Sequence, residues 1–136
     1  MTKWDPVSLK IHKKIKKLDA IISSPAKRAK KTAESFAEIF KIKEEDILFH
    51  PALYHAAGSD FFEVIGELSN KLDTVAVFSH NPGITYFSNE LITDINIDNV
   101  PTTGIFAVKI DINKWAEFKN AERQFLFFDY PKNLND

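Results

Sequence analysis

The sequence predicts a layered α/β domain, a three-layer α/β/α sandwich around a mostly parallel sheet, on three observations. Short apolar runs of strand length alternate along the chain with segments of helical periodicity. One run, Thr74 to Phe78, is a continuous β-branched and aromatic stretch of the kind buried on both faces of a parallel sheet. Two runs end in turns that open helices, at Ser24-Pro25 and at Asn81-Pro82-Gly83. Ser and Asn accept from free helix N–H groups, Pro suits the first turn, and Gly permits a tight bend.

Taken in order, residues 5–17 (DPVSLKIHKKIKK) read as a weak amphipathic helix with an Asp-Pro start, and SLKIH as a strand is the lesser alternative. Leu18 to Ser23 is a short buried strand. It delivers the chain into a helix on which Ala26, Ala29, Ala33, Phe36 and Phe40 share a face, with Arg28 in the first turn and Thr32 one turn on. Asp46 to Leu53 is a second strand, which Pro51 assigns to the rim of the sheet. After the loop Tyr54 to Gly58, the spacing of Asp60 and Glu63 suits a capping box, and Phe61, Ile65, Leu68 and Leu72 form a helical stripe. The Thr74 strand follows, then a helix through Ile84, Phe87 and Leu91, and a loop at Asn99 to Gly104. Gly104 to Ile112 alternates as a strand with one wet face, Asn113 to Asn120 is a short helical turn, and Gln124 to Tyr130 is a last strand stopped by Pro131.

The 136 residues suffice for one domain with a single core, and their 44% hydrophobic and 27% charged content is that of a globular chain. Cysteine is absent, which excludes disulfides and thiolate metal sites and fits a reducing compartment. No apolar run approaches a membrane span and the start lacks the apolar centre of a signal peptide, so the expectation is a cytoplasmic protein with no membrane partner. Residues 1–31 carry ten Lys or Arg against two acids, and the remainder carries eight against seventeen. A basic first quarter could meet phosphate-bearing partners or nucleic acid. The lysines are not interleaved with aromatic residues as single-strand binders require, so a solvated helix face is favoured over a nucleic-acid module.

His80 and Arg28 stand out chemically. Each follows the carboxyl end of a predicted strand beside a helix N-terminus, where open α/β sheets bind ligands and where free N–H groups favour anions. A lone His in such a turn also serves as a packing residue. Paired carboxylates at metal spacing, a Gly-rich phosphate loop and a His-rich ligand cluster are all missing from the sequence, so neither metal nor cofactor is expected.

The pieces SSPAKRAKKTA (Ser23 to Ala33), LYHA (Leu53 to Ala56), SHNPG (Ser79 to Gly83), VPTTG (Val100 to Gly104) and the terminal FFDYP resemble the histidine phosphatase superfamily (phosphoglycerate mutase-like), specifically its SixA-like phosphohistidine phosphatases. The resemblance covers roughly residues 18–132 in unbroken order. It implies a phosphatase that hydrolyses phosphate monoesters or phosphohistidine without a metal, through a phosphohistidine enzyme intermediate. It assigns Arg28 to the phosphate-binding arginine and His80 to the second histidine, which stabilises the transferring phosphoryl group, with Asn81 beside them as a further phosphate contact. A guanidinium forks onto phosphate oxygens, and fixed cations act most where charge develops.

One departure bears on activity. The family's nucleophile is the His of an Arg-His-Gly or Arg-His-Ala motif ending its first strand, and this sequence has no Arg-His pair; its histidines are 12, 50, 55 and 80. By comparison with the family the single domain, residues 1–136, starts late and is N-terminally incomplete, lacking the first strand. That strand is expected between the strand ending at Ser23 and the one ending at Ser79. Without an imidazole nucleophile covalent phosphoryl transfer has no acceptor. The expectation is therefore an impaired or inactive SixA-like phosphatase, with a non-catalytic phosphate-binding or regulatory protein as the alternative. The partner would be a phosphate-bearing substrate, such as a phosphohistidine protein, and an exposed sheet edge would permit oligomers. His55 is a candidate proton donor, although an exposed loop histidine also needs no role.

Overall fold

The computed structural model describes residues 17–100 and 105–129. The helix expected over residues 5–17 therefore lies outside the described residues, except for Lys17. Five strands run in the order β1 (Ala20–Ser23), β2 (Leu48–Phe49), β3 (Val75–Phe78), β4 (Ile105–Ile110) and β5 (Arg123–Asp129). Three helices intervene: α1 (Lys27–Ile39), α2 (Gly58–Gly66) and α3 (Gly83–Leu91). β2, β1 and β3 form a parallel sheet in that order, and β4 and β5 form an antiparallel pair. This is the α/β architecture that the alternation of apolar runs predicts, with the two-residue β2 at the rim where Pro51 places it.

β1 is the buried centre. Its four residues are all buried, and it pairs with β2 on one edge and with β3 on the other, with Ala20 opposite Val75 and Ser23 opposite Phe78. Alternation then sends its side chains into two cores. Ala20 and Ile22 join Leu53, Phe61, Val64, Ile65, Phe87, Leu91 and Phe118, while Ile21 joins Ala33, Phe36, Ala37 and Ile47. The α1 stripe of Ala29, Ala33, Phe36 and Ala37 is buried as its spacing requires. On the opposite face Phe61 stacks on Phe87 at 4.5 Å, and Phe62 meets the edge of the same ring at 5.2 Å.

Five details differ from the sequence reading. The strand read over Asp46 to Leu53 is two residues long, flanked by single 3-10 turns at Glu44–Asp46 and Pro51–Leu53, and the helix read through Leu68 and Leu72 ends at Gly66. The strand expected between those ending at Ser23 and Ser79 has no place there, because β1 and β3 are directly hydrogen-bonded along four residues. The sheet instead divides between β3 and β4. For the same reason β3, read as buried on both faces, is only half-buried throughout. The helix starts also shift: Ala26, Ala57 and Pro82 occupy the cap positions. Ser24 Oγ accepts from the Ala26 N–H two residues ahead of the cap position, and Asp60 accepts from the Ala57 N–H, forming one half of the capping box.

Asp19 fixes the start of the β1–β3 pair. Its Oδ2 accepts from the N–H groups of Asp73 and Thr74, both at 2.9 Å, and its own N–H donates to the Thr74 carbonyl. Those backbone donors, Thr74 first, hold its pKa below the usual carboxylate value, with Lys17 at 3.5 Å assisting and burial opposing. We expect Asp19→Ala to cost about 1–3 kcal/mol in urea unfolding near neutral pH. A carboxylate with a depressed folded pKa stabilises above its unfolded pKa, and that contribution is lost as pH falls through the folded one. The difference between Asp19→Ala and the parent should therefore shrink in acid, and a difference that grew would contradict the assignment.

Candidate functional site

The carboxyl ends of β1 and β3 are held level, because the Ser24 N–H donates to the Phe78 carbonyl at 2.8 Å. Each strand then turns into its helix. Arg28 lies exposed in the first turn of α1, and His80 lies half-buried two residues beyond β3. Both line one cavity, together with Thr32, Ser79 and Asn81. The structure therefore brings Arg28 and His80 to one end of the sheet, beside the N-termini of α1 and α3.

His80 is set by its loop. Ser79 Oγ donates to the Leu53 carbonyl at 2.8 Å, and the His80 carbonyl accepts from the Ile84 N–H at 3.2 Å. Its Nδ1 is buried and has no hydrogen-bond partner among the described residues. The Tyr54 ring meets it edge-on at 5.6 Å between centroids, and the exposed His55 ring does so at 5.8 Å. Tyr54, His55, Ala56, His80, Pro82 and Gly83 enclose a second, smaller hollow of about 260 Å³. His55, the candidate proton donor, thus stands beside His80. His50 serves the backbone, its N–H donating to the Ser23 carbonyl at 3.0 Å. His12 lies outside the described residues, as do Pro101 to Gly104 of the VPTTG segment and Tyr130 and Pro131 of FFDYP.

Asn81 is engaged structurally. Its Nδ2 donates to Asn99 Oδ1 at 2.9 Å and to the Val100 carbonyl at 2.8 Å, and its Oδ1 accepts from the Thr85 hydroxyl. Thr85 Oγ1 in turn accepts from the Val100 N–H, and Asn89 brackets Ile97 with two further bonds. The loop before β4 is thereby stitched over α3. Sequence reasoning took Asn81 as a cap and phosphate contact; its Thr85 and Asn99 partners at i+4 and i+18 were the unread signal.

Gly83 is needed for close approach, since no glycine among the described residues has positive φ. A Cβ there would fall inside van der Waals contact of the Ala56 carbonyl oxygen, a backbone atom that cannot swing away. The pairing of the His80 turn with the His55 loop depends on that gap. Gly83→Ala should cost about 1–3 kcal/mol in thermal or urea unfolding and displace the two loops. Unchanged stability would show that the loops are not in this contact.

Among the described residues no group of three or more His, Asp or Glu is placed to hold a metal ion, and no helix is long and apolar enough to cross a membrane. No protein-family model and no curated protein matches the chain. Solved structures do. A protein histidine phosphatase SixA complexed with tungstate superposes with a TM-score of 0.74 at 21% identity, over 94% of this chain and 78% of that one. A protein from Nakamurella multipartitia designated phosphohistidine phosphatase SixA gives 0.72 at 14% identity, over 91% and 77% of the two chains. Its namesake from Agrobacterium tumefaciens gives 0.68 at 20% identity, over 92% and 75%. The chain therefore has the fold of these SixA phosphatase structures.

Proposed function

We propose that the chain is a SixA-like protein that binds phosphate-bearing ligands, phosphohistidine proteins or phosphate monoesters, through Arg28 and His80, in a reducing and therefore cytoplasmic setting. The observation that carries this is that both follow the carboxyl ends of the paired strands β1 and β3, which the Ser24 to Phe78 hydrogen bond holds level, and line the same cavity beside two helix N-termini. Arg28 supplies a fork for two phosphate oxygens, and His80 supplies a donor from the same end of the neighbouring strand. That one neighbour of the same fold is complexed with tungstate, a tetrahedral oxyanion, supports a phosphate-bearing ligand for this chain.

Holding phosphate and transferring it are separate contributions. Phosphoryl transfer by a histidine phosphatase needs an imidazole in line with the departing oxygen while cations neutralise the equatorial oxygens. The resemblance gives His80 the second task, and this sequence has no Arg-His pair for the first. These 136 residues are therefore read as a phosphate-binding site with turnover impaired to background. His55 would serve as proton donor from the loop that Gly83 holds against His80.

Titration with inorganic phosphate or tungstate, followed by calorimetry, should show saturable binding. Either Arg28→Ala or His80→Ala should weaken it about 10- to 100-fold, the loss of a charged hydrogen-bonding partner. With EDTA present, p-nitrophenyl phosphate and a phosphohistidine protein should be hydrolysed at background rate. Fusing a first strand that bears Arg-His should restore turnover, and His80→Ala in the restored protein should remove most of it. EDTA-resistant hydrolysis by the chain itself, abolished by His55→Ala or His12→Ala, would show a nucleophile within these residues and overturn the reading.

A further inference from the structure

His80 borders two spaces. It lines the cavity that also holds Arg28, and it lines the hollow of about 260 Å³ formed, among the described residues, with Tyr54, His55, Ala56, Pro82 and Gly83. Three of those residues carry rings that stand steeply to one another: Tyr54 at 84° to His55 and 72° to His80, and His55 at 79° to His80, with centroids 4.4, 5.6 and 5.8 Å apart. An aromatic face is electron-rich and an aromatic edge electron-poor, so a corner of steep rings offers an incoming flat ring a complement for both. The walls are tied together without a ligand. Ser79 Oγ donates to the Leu53 carbonyl at 2.8 Å, and Gly83 lies against the Ala56 carbonyl, so both ends of the segment 53–56 are held to the His80 turn. Tyr54 is nonetheless 45% exposed. A scattered exposed aromatic needs no role, but this one borders a hollow that meets the phosphate cavity at His80.

We infer that this hollow is a subsite for a flat aromatic ring that carries the phosphate, so that the Arg28 and His80 site takes aryl phosphate esters ahead of alkyl ones. The inference rests on the proposed function and narrows its ligand. Size permits it: about 150 Å³ of cavity accommodates benzene, so the hollow has room for a phenyl ring and its bridging oxygen. Placement follows from His80. A phosphate held by that imidazole has its ester oxygen bonded to phosphorus and the ring bonded to that oxygen, and the hollow begins at the same imidazole. His55 lines the hollow as well, so the bridging oxygen of an aryl ester lies beside the group read as proton donor. An alkyl group in the same place covers less of the Tyr54 ring and gains none of the attraction between aromatic face and edge. Tyr54 is thereby assigned the ring and Arg28 the phosphate, on two different spaces that share His80.

Calorimetric titration of the whole chain with inorganic phosphate, ethyl phosphate, cyclohexyl phosphate and phenyl phosphate separates the two spaces. Phenyl phosphate should bind about tenfold more tightly than ethyl phosphate, and at least about threefold more tightly than cyclohexyl phosphate, which has the same number of ring carbons but is puckered and has no π face. Tyr54→Ala should remove the preference for phenyl phosphate while the affinity for inorganic phosphate stays within about twofold, and Tyr54→Phe should keep it. Equal binding of cyclohexyl and phenyl phosphate would reduce the hollow to a merely apolar surface and overturn the inference. So would a Tyr54→Ala variant that loses inorganic phosphate as much as phenyl phosphate, since Tyr54 would then act only by holding His80. Should Tyr54→Ala fail to fold, the ratio of phenyl to cyclohexyl affinity in the parent chain decides. Absence of saturable binding by inorganic phosphate would overturn the proposed function and this inference together, whereas phosphate binding with no preference for the phenyl ester would overturn this inference alone.

Discussion

The structure depends on the two-sided pairing of β1. Its four residues, Ala20 to Ser23, pair with β3, Ile22 and Ser23 also pair with β2, and the strand sends side chains into both cores. A parallel strand with both edges paired and both faces covered has no freedom to slip, because a one-residue shift would exchange Ile21 with its neighbours and turn each core inside out. Asp19 sets the register at the amino end and the Ser24 to Phe78 hydrogen bond sets it at the carboxyl end. Arg28 and His80 inherit their relative placement from that register. Neither is fixed by a direct bond to the other; each is carried by the turn leaving its own strand.

What surrounds the site is mostly backbone held by side chains of neighbouring loops. Ser79 reaches Leu53, Gly83 admits Ala56, and Asn81 with Thr85 brings in Val100. Farther away, Arg123 closes the far end of α3. Its guanidinium donates to the carbonyls of Leu91 and Phe118 and lies over the rings of Phe62 and Phe118. Burial lowers its pKa, with Glu90 acting the other way, but an arginine stays charged. A cation against the last carbonyl of a helix is favourably placed, so the basic group opening β5 also anchors the helix that starts at the site.

Element type was legible in the sequence wherever period and length agreed. The α1 stripe and the apolar strands β1 and β3 follow from local pattern, because each is set by which side chains must leave water, and Pro51 marks the rim strand β2; the alternation read in β4 did not become one wet face, since only Lys109 of its six residues is exposed. Pairing was not legible. Two apolar runs of similar length, Ala20 to Ser23 and Val75 to Phe78, differ in burial only because one has two strand neighbours and the other has one. Nothing within either run encodes that difference. Helix starts drifted by one to three residues for a related reason: Ser24 and Asn81 are competent caps that instead bond Ala26 and the Asn99 to Val100 loop. The juxtaposition of Arg28 with His80 was readable as two strand ends beside helices, whereas Gly83 was assigned to a turn when its role is contact with a loop distant in sequence.

The edge of β3 that faces β4, unpaired among the described residues, ties the site to the rest of the sheet. An unpaired backbone group in a dry apolar setting costs about 1–3 kcal/mol, so an edge as long as β3 cannot be left both buried and unpaired. Water can satisfy those groups, but it then wets Phe87, Leu91 and Phe118, which line the same cavity. Arg28, His80 and Asn81 line that cavity too. The β1 and β3 carboxyl ends are held level by the Ser24 to Phe78 hydrogen bond and by the loops that Ser79 and Gly83 tie to them, whereas the far wall of the cavity is β4. Whatever satisfies the edge of β3 therefore also bounds the space in which Arg28 and His80 meet an anion.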